Sequence, residues 1–357
     1  MKVVLIGLGQ AGGKITQELA THDYDLGLGA VQDAMAVNTA SADLQSLDID
    51  TMLIGQDRVK GHGVGGDNEL GAEIMQAEAD EVLDGLDGRV TSQAEAVVIV
   101  AGLGGGTGSG GAPVLAKELK RIYDVPVYVV GVLPGRGEGA IYQANAGRSL
   151  KTVAREADAT LLIDNDAWKS SEESVQEGYE TINDNIAQRV GLLFASGEMV
   201  DGVGESVVDS SEIINTLRSG GIAALGYASA DASEDGSDNV NTITSLTRNA
   251  LLTSTSLPNA VKAETALLVI AGEPSRISRK GVERARRWVE DETGSLEVRG
   301  GDFPLDSDRL AALVLLGGVE RSERVQEFMD RAAEAAERTE QREETTDFQT
   351  DELDDLF

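Results

Sequence analysis

Glycine-rich segments occur at three places in the chain, and the first leads directly from a predicted strand into a predicted helix. It spans Gly7 to Lys14. Backbone N–H groups at a helix N-terminus carry partial positive charge and can bind phosphate. The residues of this loop that we predict to contact phosphate are Gly9, Gln10, Ala11, Gly12, Gly13 and Lys14. The spacing also fits the G-x-G-x-x-G pattern of dinucleotide-binding folds, so a nicotinamide-dependent (NAD) Rossmann dehydrogenase is an alternative.

The residues around this loop and after the second predicted strand limit the alternatives. That strand ends in Ala36-Val37-Asn38-Thr39 and offers no carboxylate where a dehydrogenase would hold a ribose hydroxyl. A P-loop is excluded, because alignment on Lys14 places Leu8 at the first glycine and Ile15 at the magnesium-binding Ser or Thr. The dehydrogenase alternative is therefore weakened, and the P-loop is ruled out.

The second glycine segment lies between a predicted buried strand, Ala96 to Val100, and a predicted helix. Its candidate phosphate contacts are Gly104, Gly105, Gly106, Thr107 and Gly108. Consecutive glycines expose several N–H donors to one anion, and we expect Thr107 and Ser109 to add hydroxyl donors. A flexible linker is the alternative interpretation, but linkers do not usually join a buried strand to a helix.

The third glycine segment, from Gly61 to Asn68, follows the third predicted strand. We expect Gly65, Gly66 and Asp67 to close over a terminal phosphate. Two phosphate loops and a closing loop together predict a di- or triphosphate ligand.

Composition excludes several kinds of site. The chain has no cysteine, so disulfides and thiolate metal sites are excluded. It has two histidines, so a histidine-rich metal site is strongly disfavoured. The net charge is −32, from 62 acidic and 30 basic residues, which disfavours binding to nucleic acid or to an anionic membrane. We interpret the acidic surface as halophilic adaptation to a salty cytoplasm rather than as generic acidity. The chain has no signal sequence and no apolar run of about 18 residues, which predicts a cytoplasmic protein without direct membrane insertion.

Apolar runs and helical patterns predict an α/β fold with a doubly wound parallel sheet. A long central helix, 174–195, and a smaller α+β domain follow. We predict a nucleotide-binding domain at 1–173, the central helix and its following loop at 174–221, a C-terminal domain at 222–330 and an acidic, disordered tail at 331–357. Within these, 229–241 is expected to be a surface loop and 319–342 a charged helix. The predicted strands are 2–6, 34–37, 51–54, 96–100, 127–132, 160–163, 223–228, 263–271, 295–299 and 310–316.

The segment Gly104 to Gly110 reads GGGTGSG and closely resembles the tubulin signature G-G-G-T-G-[ST]-G. The first loop with Gln10, the turn at Asn38 and the third glycine loop occur in the order found in tubulin and FtsZ. The resemblance extends from Met1 to about residue 331. Two segments resemble the CetZ family of archaeal tubulin-like proteins in particular, namely VKGHGVGGDNELGAE and SVVDSSEIINTL. It implies the tubulin/FtsZ fold, binding of GTP or GDP with Mg²⁺ held through the phosphates, and head-to-tail filaments.

The resemblance also implies nucleotide contacts outside the glycine loops. Asn38 is implied at the second loop. Glu138, in the stretch Pro134 to Gly139, corresponds to the ribose-binding carboxylate, although the aromatic residue that follows proline in the family is missing here. Asn165, Tyr179 and Asn183 correspond to the guanine contacts of tubulin, where FtsZ has Phe and Asp at the last two. Each could otherwise be an ordinary loop or helix residue.

The resemblance further implies that Asp209 and Glu212 are the catalytic acids of an assembly-stimulated GTPase. They match the two acids of the FtsZ synergy loop, whereas Val207 replaces its Asn. In the family these acids act on the GTP of the neighbouring subunit. The alternative is that Asp209 and Glu212 form a helix capping box.

The cellular role is the least specific implication. The resemblance favours cell-shape control, with a cell-division ring as one alternative and a filament that binds GTP without hydrolysis as another. The tail ends with Leu353, Leu356 and Phe357 among acidic residues. These either dock onto a protein partner or merely end a solvated segment.

Overall fold

The computed structural model describes residues 1–168, 175–197, 207–320 and 322–354. Six strands precede the central helix, each within a few residues of its predicted position. They are β1 (Val3–Leu8), β2 (Val31–Asn38), β3 (Asp50–Leu53), β4 (Ala96–Gly102), β5 (Val127–Leu133) and β6 (Ala159–Asp164). All are parallel, in the order β3-β2-β1-β4-β5-β6, which confirms the predicted doubly wound half.

Four more strands continue the same sheet. They are β7 (Ile222–Asp231), β8 (Ala263–Gly272), β9 (Glu297–Pro304) and β10 (Arg309–Val319). Strand β7 pairs with β6 and is antiparallel to β10, and β8 is antiparallel to β10 and parallel to β9. The described chain thus forms one ten-stranded sheet with a mixed second half. The domain boundaries remain predictions, since the sheet runs through the junction of β6 and β7.

Twelve α-helices accompany the sheet within the described ranges. They are α1 (Gly9–Leu26), α2 (Ser41–Leu44), α3 (Gln56–Val59), α4 (Asn68–Ala77), α5 (Ala79–Gly85), α6 (Thr107–Ile122), α7 (Ala140–Glu156), α8 (Val175–Ser196), α9 (Ser210–Leu217), α10 (Val240–Leu252), α11 (Arg279–Thr293) and α12 (Glu323–Asp354). Helix α8 is the predicted central helix. Its residues Ile182, Ile186, Val190 and Phe194 are buried against one face of the sheet, as their helical spacing predicted.

The strands carry apolar side chains on both faces, so a core lies on each side of the sheet. Val98 and Val100 pack with α8 on one face, whereas Val97 and Ile99 pack on the opposite face. This double burial explains why the strands read as continuous apolar runs in the sequence.

Three predicted boundaries differ from the structure. The expected surface loop 229–241 begins inside β7, whose last residues pair with β10. It contains a short 3-10 helix, Gly236–Asn239, and ends in the first turn of α10. Strand β9 runs to Pro304, five residues beyond its predicted end. The predicted charged helix begins at Glu323 rather than at 319, because β10 occupies the residues up to Val319.

The tail also differs from the expectation of disorder. Helix α12 continues to Asp354, and residues 331–354 contain Ala, Glu, Gln and Arg without any Gly or Pro. These residue types favour helix even where few apolar side chains can pack. Leu356 and Phe357 of the proposed docking motif lie outside the described residues.

Candidate functional site

The first two glycine loops meet at the carboxyl ends of β1 and β4, which are neighbours in the sheet. Gly9 begins α1 with φ of +70°, and a Cβ there would lie 3.2 Å from the backbone N of Gly108. A side chain at this position would therefore be strained and would push the second loop away. The N-termini of α1 and α6 consequently lie side by side, as expected for an anion site.

The third loop closes against the second. A Cβ on Gly106 would lie 2.4 Å from Val64 Cγ2. The buried amide Nδ2 of Asn145 donates to the carbonyl oxygens of Gly66 (2.7 Å) and Gly104 (3.1 Å). The structure thus brings the three predicted loops together, and Asn145 of α7 joins two of them. Sequence reasoning missed Asn145, because nothing in its local sequence indicates a partner 79 residues away.

Several loop glycines border open space. A Cβ on Gly65 would meet no atom within 4 Å, and one on Gly105 would come no closer than 3.9 Å, to Gly102 O. Gly12, in contrast, is packed so tightly that a Cβ would lie 2.2 Å from Val100 O, and Gly13 packs similarly on Leu47. Packing of α1 explains these last two glycines, whereas the open positions leave room for phosphate.

Polar side chains beside the loops form a small network. The carboxylate of Asp43, in α2, accepts from Gln10 Nε2 and from Asn38 Nδ2, each at 3.0 Å. The hydroxyls of Thr39 and Thr107 are 2.8 Å apart. Asp43 was not predicted, and its only sequence signal is an acid in the first turn of a helix that follows β2. Ala11 and Lys14 are exposed on the first turns of α1.

Two of the residues predicted to contact the ligand form hydrogen bonds with the backbone in this structure. The hydroxyl of Ser109 donates to the carbonyl of Gly105, and its expected role as an anion donor stays a prediction. The carboxylate of Asp67 caps α4 by accepting from the N–H groups of Glu69 and Leu70. Asp67 therefore fixes the end of the third loop.

The side chains implied for the ribose and the base gather at the ends of β5 and β6. Glu138 Oε1 accepts from Gly135 N (2.7 Å) and from Asn165 Nδ2 (3.2 Å). Burial raises the pKa of the Tyr179 hydroxyl, and the charge of Glu138 and a hydrogen bond to it act in the same direction. Asn183 lies one turn after Tyr179 on the same face of α8. Despite the missing aromatic residue, the loop is held closed by Gly135.

Asp209 and Glu212 lie at the other end of the sheet. Ser210, next to Asp209, donates to Glu95 Oε1 (2.5 Å), and Lys2 N donates to Glu95 Oε2 (2.7 Å). Lys2 and Glu95 immediately precede β1 and β4, whose opposite ends carry the glycine loops. Strands of six and seven residues separate the two places, which is roughly 20 Å at about 3.3 Å per residue. The two acids therefore lie too far away to contact the glycine loops of the same chain.

The two acids have different environments. Asp209 caps α9 by accepting from Ser211 N (2.8 Å) and Glu212 N (3.2 Å), as the capping interpretation predicted. Glu212 Oε2 is buried without a hydrogen-bond partner, so it does not complete a capping box through that atom. Burial raises the pKa of Glu212, repulsion by Asp209 adds to the effect, and Arg299 opposes it. The preceding residues of the implied synergy loop, Glu205 and Ser206, lie outside the described residues.

Comparison with known proteins accounts for this arrangement. Residues 2–172 match the GTPase domain of the Tubulin/FtsZ family, and residues 172–334 match the C-terminal domain of tubulin-like CetZ. The tubulin-like protein CetZ2 of Haloferax volcanii is 68% identical over 360 residues, covering 100% of both chains. The chain belongs to the CetZ family of tubulin-like proteins. This family assignment replaces the dehydrogenase alternative.

Solved CetZ structures have the same fold. CetZ2 from Haloferax volcanii, described as a GTPγS-bound protofilament, superposes with a TM-score of 0.91 and covers 95% of this chain and 100% of its own. CetZ1 from the same organism, described as a GDP-bound monomer, gives 0.87 at 50% identity, with 94% and 100% covered. The glycine loops and the two acids of this CetZ chain therefore lie on a confirmed tubulin/FtsZ fold.

Two further properties concern only the described parts of the chain. No group of three or more His, Asp or Glu side chains there could hold a metal ion by itself. No helix in those parts is long and apolar enough to cross a membrane.

Proposed function

We propose that the chain binds GTP in the three glycine loops, polymerises head to tail, and hydrolyses the GTP of one subunit with Asp209 and Glu212 of the next. The observation that carries this proposal is the separation of the loops and the acids at opposite ends of β1 and β4. A head-to-tail contact brings opposite ends of two molecules together, and such a heterologous contact generates filaments when it does not close.

The geometry supports a model in which different loops bind the phosphates, the ribose and the base of the nucleotide. The N-termini of α1 and α6, with Gly65 and Gly66, would hold the phosphates, and Glu138 would hold the ribose. Asn165 and Asn183 would read the guanine edge, with Tyr179 beside it. The two solved relatives are described with GTPγS and GDP. Mg²⁺ bound with the nucleotide would neutralise phosphate charge, and Asp43, which accepts from Gln10 and Asn38, is an acid beside the first loop that would support it.

Hydrolysis would be accelerated by positioning of the reactants rather than by covalent catalysis. Once a neighbouring subunit presents them, the carboxylates of Asp209 and Glu212 would orient a water molecule towards the γ-phosphate. Closure of the interface would also remove bulk water, which strengthens every charge interaction inside it. The monomer is therefore expected to turn over slowly.

Mixing two defective variants tests whether the acids act in trans. Glu212→Ala keeps the nucleotide loops but lacks one acid, whereas Asn165→Ala/Asn183→Ala keeps the acids but lacks the base contacts. Each variant alone should release phosphate slowly, and a mixture should recover turnover at interfaces that combine intact halves. Light scattering and phosphate release with GTP in concentrated KCl are the measurements. No recovery on mixing, or turnover per subunit that is independent of protein concentration, would contradict the proposal.

We further propose that the polymer lies in the cytoplasm and controls cell shape, with the tail binding a protein partner. A shape role is consistent with the CetZ relationship, and a division ring is the alternative. Deletion of residues 343–357 should leave assembly unchanged and displace the polymer in the cell. Unchanged polymer position and cell shape would remove the partner from the proposal.

A further inference from the structure

A fully buried arginine from the C-terminal helix lies beneath the predicted ribose and base loops. Arg324, in α12, is 2% exposed. Its Nε donates to Asp164 Oδ2 (2.9 Å), its Nη2 to the carbonyl of Pro134 (2.7 Å) and its Nη1 to Glu327 Oε2 (2.9 Å). Its guanidinium also lies 4.2 Å from the ring centroid of Phe328. Arg324 thus joins three segments of the chain.

Two of these segments carry predicted nucleotide contacts. Asp164 ends β6 and immediately precedes Asn165. Pro134 begins the loop in which Glu138 closes onto Gly135. Because Glu138 also accepts from Asn165, the two loops that Arg324 contacts are joined to each other as well.

A second set of contacts ties the same loops together around Arg324. Arg136 N donates to Asp166 Oδ2 (2.6 Å), and Asp166 N donates to Asp164 Oδ1 (3.1 Å). The guanidinium of Arg136 also binds Glu327, on the same turn of α12 as Arg324. Helix α12 therefore touches the Pro134 loop and the Asp164–Asp166 turn through charged contacts.

Burial of a complete guanidinium is an inefficient way to fill space. Desolvation of an ion pair is costly, and packed apolar side chains would stabilise the same contact between helix and sheet at least as well. The fork of an arginine, however, fixes the relative positions of several acceptors at once. The choice of arginine is explained if the positions of those acceptors matter.

We propose that Arg324 is a positioning residue of the nucleotide site, which holds the Pro134 loop and the turn at Asn165 in the arrangement that binds ribose and base. This inference rests on the proposed GTP site. It makes α12 a part of that site through Arg324. Arg324 acts on Glu138 and Asn165 through the backbone of their loops.

The first test measures nucleotide binding to the monomer, below the concentration at which polymers form. Arg324→Met should weaken GDP binding by roughly tenfold to a hundredfold, mostly through faster dissociation, since it removes two hydrogen bonds of a charged group to the loops. Arg331→Met is the matched control, because Arg331 is exposed on the same helix, and it should leave binding unchanged. Equal affinity of the wild type and Arg324→Met would overturn the inference.

A second measurement separates positioning from a general loss of stability. In the wild type, GTP should bind more tightly than 2′-deoxy- or 3′-deoxy-GTP, because Glu138 contacts the ribose. In Arg324→Met that preference should largely disappear, whereas competition by inorganic triphosphate, which contacts only the glycine loops, should not change. Equal losses for all three kinds of ligand would show a merely structural role and overturn the inference.

Folding is monitored by urea unfolding without nucleotide. If Arg324→Met does not fold, Arg324→Lys decides the question, since lysine keeps the buried charge but cannot make the forked contacts. Lysine should also reduce the preference for GTP over its deoxy analogues, and an unchanged preference would overturn the inference. Failure of the wild type to bind GTP at all would instead contradict the proposed function.

Discussion

One carboxylate oxygen of Glu212 is buried without a hydrogen-bond partner, close to Asp209 and within electrostatic reach of Arg299. Arg299 pairs with Leu267 across β8 and β9, and Leu267 shares its core cluster with residues of α9. Paired residues of neighbouring strands point to the same face of a sheet, so Arg299 lies on the α9 face. Its Nε is also buried without a partner. Glu212 therefore differs from an ordinary solvated surface acid, because one of its carboxylate oxygens is buried and its pKa is raised.

The pH dependence of turnover should reflect this environment. Because the pKa of Glu212 is raised, it takes up a proton at a higher pH than a free glutamate does. If ionised Glu212 orients the water, polymer-stimulated phosphate release should fall as the pH decreases through that raised pKa. Arg299 lowers the pKa of Glu212, so Arg299→Gln should move the fall to higher pH.

The matched control for that experiment is Arg286→Gln. Arg286 lies beside Gly300, which pairs with Leu268 on the opposite face of the sheet. Phosphate release by preformed polymer, measured across the pH range, should be unaltered by this change. An identical pH profile for Arg299→Gln and the wild type would show that Arg299 does not influence Glu212, the proposed catalytic acid.

Asn145 offers a second prediction among individual residues. Replacement by alanine removes the donor that joins Gly66 and Gly104 and leaves buried carbonyls unpaired, at a cost of about 1–3 kcal/mol. Because the third loop is expected to close over the terminal phosphate, Asn145→Ala should weaken GTP binding more than GDP binding. Titration of the monomer with both nucleotides measures this. Asn215→Ala is the control, because Asn215 lies in α9 at the opposite end of the sheet from the glycine loops. Equal weakening for GTP and GDP would contradict the assigned role of the loop.

The residues that sequence patterns revealed are those with local signals. The glycine loops follow strands directly, and Glu138 and Asn165 lie in recognisable sequence motifs that follow β5 and β6. Asp43, Asn145 and Arg324 could not be predicted in this way, because their contacts join segments that are far apart in the sequence. Arg324 and Asp164 are 160 residues apart in sequence.

Among the elements, the packing of α12 on α7 is close enough to depend on one glycine. A Cβ on Gly147 would lie 2.0 Å from the carbonyl O of Phe328 and 2.7 Å from Ala332 Cβ. Gly147→Ala should therefore push α12 outward and reduce the free energy of unfolding by about 1–3 kcal/mol, as overpacking usually does. Urea unfolding without nucleotide measures this change.

The control for overpacking is Gly137→Ala, since a Cβ on Gly137 would meet no atom within 4 Å. Its unfolding midpoint should equal that of the wild type or slightly exceed it. Because Arg324 and Phe328 lie on the same part of α12, Gly147→Ala should also weaken nucleotide binding if Arg324 positions the site. Unchanged stability in Gly147→Ala would show that α12 can shift at no cost.

Element types were more predictable than element connections. Strands buried on both faces produce apolar runs, and α8 produces an apolar stripe, so both could be recognised. The pairing of β6 with β7 could not, because α8 and α9 lie between them in the chain. The extra residues of β7 and β9 are polar or glycine-rich, and only their pairing with neighbouring strands makes them strand.

At the scale of the molecule, the proposed assembly would stack one acidic chain on another. The net charge of −32 repels a second copy at low salt, although each head-to-tail contact is proposed to bring a nucleotide end against the acids of α9. Screening by salt shortens the range of repulsion between exposed charges, from about 10 Å in 0.1 M salt to about 3 Å in 1 M salt. Salt should therefore stabilise the fold and, more strongly, the filament.

Both effects can be measured with the same protein. Raising KCl from about 0.1 M to about 1 M should increase the urea midpoint of the monomer and lower the protein concentration needed for GTP-dependent light scattering. Sucrose at matched osmolality is the control, because it favours compact states through exclusion from the surface without screening charge. If sucrose reproduced the whole effect of KCl, or if KCl left the midpoint unchanged, self-repulsion would not limit stability. A larger effect of KCl on assembly than on unfolding is expected, since stacking adds repulsion between two chains to the repulsion within each one.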